Sequence, residues 1–150
     1  MEFLNERFLS LNHVKWECKY HIIITPKYRK KILYGQVRKR VGEILRTLSR
    51  QKQVDILEGY VCTDHVHMVM SIPPKYSIAM VLGFLKGKSA IQLHREFAKQ
   101  YKNYHGKSFW SRGYFVSTVG MDEEAIKKYV REQEHKDKTQ EGNQLEMRWV

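Results

Sequence analysis

The 150-residue chain has only two cysteines and three prolines, and no long apolar run. Two thiols, Cys18 and Cys62, cannot build a disulfide framework, so packing must hold the fold together. Both fall in strand-like segments and are expected to be small core residues. No stretch approaches the roughly 18 apolar residues of a membrane span. The opening Met-Glu-Phe-Leu-Asn-Glu-Arg lacks the basic patch and apolar run of a secretory signal, so a cytoplasmic protein is expected. Acidic residues are scarce too: 16 Asp plus Glu face 27 Lys plus Arg, leaving a formal charge of +11. A field of that sign attracts polyanions, and nucleic acid is the partner it favours, because phosphate contacts release counterions.

What is present suits one globular domain spanning 1–150. Apolar residues make up 42% of the chain, enough for a core. Residues 14–25 alternate, with Trp16, Cys18, Tyr20, Ile22 and Ile24 on one face, a strand signal that Pro26 ends. Lys27-Tyr-Arg-Lys-Lys31 follows as a basic turn. Val37, Val41, Ile44, Leu45 and Leu48 recur at helical spacing over 36–52. Strands are expected at 53–62 and 65–72, joined by a hairpin-like Thr63-Asp64 turn. Ser77 is suited to cap a second helix that reaches Phe97, with Gly83 and Gly87 as points where it could break. Residues 100–112 read as a loop and 113–119 as a fourth strand. Asp122 caps a final helix to about His135, and 136–150 reads as a polar tail. The order β-α-β-β-α-β-α is that of an α+β, ferredoxin-like or RRM-like split βαβ, with helices on one face of an antiparallel sheet and one added C-terminal helix.

His65-Val-His67 is the most informative segment. In a strand, positions i and i+2 share a face and lie roughly 6.6 Å apart along the chain. Two imidazoles so placed can close on one divalent cation, while Val66 and Met68 turn into the core. A zinc site using Cys62 is disfavoured. That residue has opposite parity if the strand runs through it, and no fourth ligand lies at the usual spacing. A site with open positions for Mg²⁺ or Mn²⁺ and a phosphate fits better. In the final helix Tyr129 and Gln133, four apart, share a face, with Ile126 one turn before. Gly83-Phe-Leu-Lys-Gly-Lys-Ser89 looks like a phosphate-binding loop but has three residues between its glycines where four are needed, so nucleotide binding is rejected.

Taken together, these pieces resemble the single-tyrosine HUH transposases of the smallest bacterial insertion sequences, the IS-two-hundred and IS-six-hundred-and-five type. The resemblance covers nearly the whole chain. It runs through Trp16-Glu-Cys-Lys-Tyr-His21, Thr25-Pro-Lys-Tyr-Arg29, Cys62-Thr-Asp-His-Val-His67 and Gly83–Ser89 to Phe109-Trp-Ser-Arg-Gly-Tyr-Phe115 and Tyr129-Val-Arg-Glu-Gln133. It implies that His65, His67 and Gln133 hold the metal and that Tyr129 is the nucleophile. The implied substrate is single-stranded DNA with imperfect hairpins at element ends. The implied assembly is a homodimer in which the tyrosine helix of one subunit can complete the site of the other. Lys27, Arg29, Lys86, Lys88 and Arg112 are the candidate DNA contacts, with Tyr28 as a stacking partner. Two alternatives stay open. One is a non-catalytic single-stranded nucleic-acid-binding module; the other is a domesticated relative acting on chromosomal palindromes.

Overall fold

A computed structural model describes residues 9–11, 14–99, 109–118 and 123–148. Leu9–Leu11 (β1) and Val14–Trp16 (β2) form a small antiparallel ribbon of their own. The main sheet holds Lys19–Ile24 (β3), Asp55–Cys62 (β4), His65–Ser71 (β5) and Phe115–Ser117 (β6), in the order β4-β5-β3-β6 with every pair antiparallel. Three helices complete the architecture: Gly35–Gln51 (α1), Ile78–Glu96 (α2) and Glu123–Arg148 (α3). This is the expected α+β split βαβ with a helix appended. The alternation over 14–25, read as one strand, is instead two, parted at Glu17 and Cys18: the first half pairs with β1 and the second with β5 and β6.

One face of the sheet makes the core. Ile22 and Ile24 of β3 and Val66, Met68 and Met70 of β5 pack on Val37, Val41, Ile44, Leu45 and Leu48 of α1 and on Val81, Leu82, Leu85 and Leu93 of α2. Each such side chain contributes about 1.5–3 kcal/mol by leaving water. Ser77 caps α2 as expected, its hydroxyl accepting from the Met80 amide at 3.0 Å. Gly83 and Gly87 do not break the helix. Both sit on its exposed side, where an added Cβ would meet nothing within 4 Å.

The segment after the 100–108 stretch is fastened to the end of β3. Lys27 N–H donates to the Phe109 carbonyl and Ser111 N–H to the Thr25 carbonyl. Trp110 donates its indole N–H to the buried Ser89 hydroxyl at 2.9 Å and meets Phe109 edge-on. Residues 136–148, read as a tail, continue α3 as helix. The Asp122 cap, most of the 100–112 loop and the residues 119–122 around the fourth strand's end lie outside the described residues.

Candidate active site

The other face of the sheet carries the site. Directly paired residues on neighbouring strands share a face. Tyr60, His67, Ile23 and Phe115 therefore stand in one row across β4, β5, β3 and β6. Val69 and His21 pair in the next row, and Cys62 and His65 pair on the other side. His65 and His67 thus share a face as the i, i+2 spacing requires, and a third imidazole, His21, joins them. Cys62 shares that face as well, contrary to the parity argument. The two-residue Thr63-Asp64 turn reverses the chain and sets Cys62 directly opposite His65. Cys62 is exposed rather than core, and both cysteines are free. Burial, reinforced by Asp64, raises its thiol pKa, which disfavours a thiolate ligand. Among the described residues no three His, Cys, Asp or Glu side chains converge to hold a metal.

Each histidine is oriented by a neighbour. Asp64 Oδ1 lies 2.8 Å from His65 Nδ1, so with the carboxylate ionised that nitrogen carries the proton and Nε2 keeps its lone pair. His67 Nε2 stands 3.3 Å from His21 Nδ1. One lone pair serves one partner, so a cation taken up at His67 Nε2 would displace His21. Burial first, and then the two neighbouring imidazoles, lower the His67 pKa and keep that ring neutral, the form a metal needs.

α3 crosses beside this face. Tyr129 packs edge-on against Phe115, ring centroids 5.4 Å apart. Phe115 lies two strands from His67 in the same row, roughly 9.6 Å between backbones. The phenol is half-buried, and desolvation followed by the field of Asp137 pushes its pKa up to about 12. Gln133 is buried and donates its amide N–H to the Arg112 carbonyl at 2.7 Å. Only the nitrogen end of an amide can approach a carbonyl, so the Gln133 oxygen is left as the atom suited to a hard cation. Between α3 and the hairpin turn opens a cleft of about 460 Å³, lined by Arg29, Asp64, His65, Glu124, Ile126, Lys127, Val130 and Arg131. The donors present, two oriented imidazoles and one amide oxygen, are of a type that fits a divalent cation with open positions.

The expected DNA contacts divide. Lys27 is buried, with its ammonium 5.8 Å from the Tyr28 ring, and is not a surface cation. The Tyr28 backbone takes φ 63°, and its ring also carries Lys30 at 5.9 Å. Arg29 pairs with Glu134 of α3 at 3.1 Å and lies 3.9 Å from Asp64. Lys86 is turned inward onto the Ser111 and Gly113 carbonyls at 2.7 and 2.6 Å, and burial pulls its pKa down to about 8. Lys88 and Arg112 are exposed. Sequence reasoning passed over His21 and Asp64 as site residues. The signal for His21 was its parity, opposite to core residues Ile22 and Ile24; its partner depends on the β3–β5 register, which no local pattern encodes.

An antiparallel split βαβ sheet with two imidazoles on its open face and a tyrosine-bearing helix across it is the frame of a tyrosine transposase. A family model described as "Transposase IS200 like" matches residues 14–133. The chain belongs to this IS200-like transposase family, and is a DNA-processing protein of the insertion-sequence type. It is 46% identical over 136 residues to the transposase for insertion sequence element IS200 of Salmonella typhimurium, covering 91% of this chain and 88% of that one. It is 30% identical to the ISDra2 transposase TnpA of Deinococcus radiodurans, over 81% of this chain and 88% of the other. Among solved structures, a crystal structure of a putative transposase from Deinococcus radiodurans superposes with a TM-score of 0.74 at 28% identity, over 83% of this chain and 96% of that one. A REP-associated tyrosine transposase bound to a REP hairpin shares the fold at 11% identity, with a TM-score of 0.50 over 81% of this chain and 68% of the other. No helix among the described residues is long and apolar enough to cross a membrane.

Proposed function

We propose that this transposase cuts and rejoins single-stranded DNA at the ends of an insertion sequence through a covalent 5′-phosphotyrosine at Tyr129. The single observation that carries the reading is the shared sheet face: His65 and His67 on β5, and Tyr129 on α3 above Phe115 in the row of His67. Bound by His65 and His67, with the Gln133 oxygen as third protein ligand, Mg²⁺ or Mn²⁺ would supply Lewis acidity at the scissile phosphate and offset charge near the phenol. Tyr129 Oη attacks phosphorus and gives up its proton. The bond from phosphorus to the 3′-oxygen breaks, and that oxygen leaves and is protonated as a free 3′-OH. One phosphodiester is exchanged for another, so rejoining needs no nucleotide cofactor, in keeping with the rejected phosphate loop.

Hairpins at the element ends are the proposed recognition feature. A transposase of the same fold is bound to a REP hairpin, and the +11 charge of this chain supplies attraction for nucleic acid. A homodimer, with the site completed in cis or in trans, belongs to the same reading. The test is incubation with single-stranded DNA from the flanks of the gene, with Mg²⁺ or with EDTA, read on a denaturing gel. A Mg²⁺-dependent shifted band supports the transferase. Tight binding indifferent to EDTA, with every strand left uncut, would make the protein a nucleic-acid-binding module instead.

A further inference from the structure

The most deeply buried ionisable side chain among the described residues is Asp137, at 0% exposure. One carboxylate oxygen, Oδ2, accepts from the Tyr28 backbone N–H at 3.0 Å and from the Ser111 hydroxyl. The other, Oδ1, is buried with no hydrogen-bond partner. Such a group is costly in a core and makes sense only where its bonds fix something else. What it fixes is visible. Tyr28 belongs to the left-handed turn that follows β3, at φ 63°. Ser111 belongs to the segment that Lys86 braces through the Ser111 and Gly113 carbonyls. One helical turn earlier, Gln133 is fastened to the Arg112 carbonyl. One turn earlier again stands Tyr129. Residues 129, 133 and 137 form a single i, i+4, i+8 ridge of α3, bolted down at two of its three positions.

We propose that Asp137 is a positioning residue for Tyr129. By gripping the Tyr28 amide and the Ser111 hydroxyl together, it sets the height and rotation of α3, and so where the phenol stands relative to His65 and His67. The proposal rests on Tyr129 being the nucleophile, but the grip itself is open to measurement without any chemistry.

The experiment uses the full chain as wild type, Asp137→Ala and Asp137→Asn. Amide hydrogen exchange should accelerate about tenfold or more in α3 and residues 27–29 of the Ala variant, with α1 and β5 unchanged. The Asn variant keeps the acceptor oxygen and should stay within about threefold of wild type. On hairpin single-stranded DNA with Mg²⁺, the Kd of both variants should stay within about threefold, while the Ala adduct rate at saturating DNA falls about tenfold or more and Asn restores it. Wild-type exchange of α3 in the Ala variant overturns the proposal, as do affinity and rate falling together without rescue by Asn. Should the Ala variant fail to fold, Ser111→Ala removes one of the two donors. Faster exchange confined to α3 supports the grip, and acceleration spread evenly over the chain overturns it. If wild type forms no adduct, the nucleophile assignment fails while the exchange arm still decides the role of Asp137.

Discussion

Asp64 Oδ1 stands 2.8 Å from His65 Nδ1, and this one contact leaves Nε2 as the nitrogen with a lone pair to give. Partners of this kind fix ring orientation and raise ligand basicity, and their loss costs about 10–100-fold in metal affinity. Asp64→Ala should therefore weaken Mn²⁺ binding by about that factor, measured by calorimetric titration of the full chain. Unchanged Mn²⁺ affinity would remove Asp64 from the site.

The raised pKa of Tyr129 gives a pH signature. Burial first, and Asp137 second, push the phenol up to about 12. The folded chain then holds a proton that the unfolded chain gives up near pH 10. Stability from this group is complete below about pH 10 and is lost as pH rises through about 12. Denaturant midpoints should fall across that window in wild type more steeply than in Tyr129→Phe. Identical slopes in the two proteins would contradict the buried phenol.

The brace beneath the site is also testable. Ser89 and Trp110 are both buried, and the Ser89 hydroxyl is the acceptor for the indole N–H. Ser89→Ala leaves that donor without a partner and should cost about 1–3 kcal/mol in urea unfolding at pH 7. A loss below about 0.5 kcal/mol would mean that the indole finds another acceptor.

Exposed and inward lysines should behave differently on DNA. Each phosphate contact on a single strand contributes about 0.7 to the slope of log K against log salt concentration. Lys88→Gln and Arg112→Gln should each lower that slope by about this amount, because both residues are exposed. Lys86→Gln should leave the slope unchanged and lower stability instead, because its ammonium serves the Ser111 and Gly113 carbonyls. A slope lost at Lys86 and kept at Lys88 and Arg112 would reverse the assignment.

Much of this was legible where the determinants are local. Ser77 with Ile78, Val81, Leu82 and Leu85 defines α2 by its cap and stripe, and its glycines do no harm because they fall on the open side. The His65 and His67 spacing fixes their common face whatever the strand pairs with. Pairing itself was not legible. The alternation through Trp16, Cys18 and Tyr20 is continuous, yet the chain changes partner at Cys18. Ile23 is buried although it lies on the histidine face, beside Phe115. Cys62 was misjudged because a two-residue turn reverses parity. Lys86 read as surface charge because the carbonyls that hold it, those of Ser111 and Gly113, lie far along the chain, and Lys27 because its burial is set by tertiary packing rather than by local pattern. Residues 136–148 lack an apolar stripe, so their helical continuation, with Asp137 as its buried polar anchor, carries no periodic signal.

The central claim places a covalent bond to DNA on one phenol. Wild-type protein, incubated with flank-derived single-stranded DNA and Mg²⁺, then digested and analysed by mass spectrometry, should yield one nucleotide-bearing peptide, modified at Tyr129. Tyr129→Phe should bind the same hairpin and yield none. A nucleotide found on another residue, or an undiminished adduct in Tyr129→Phe, would contradict the account.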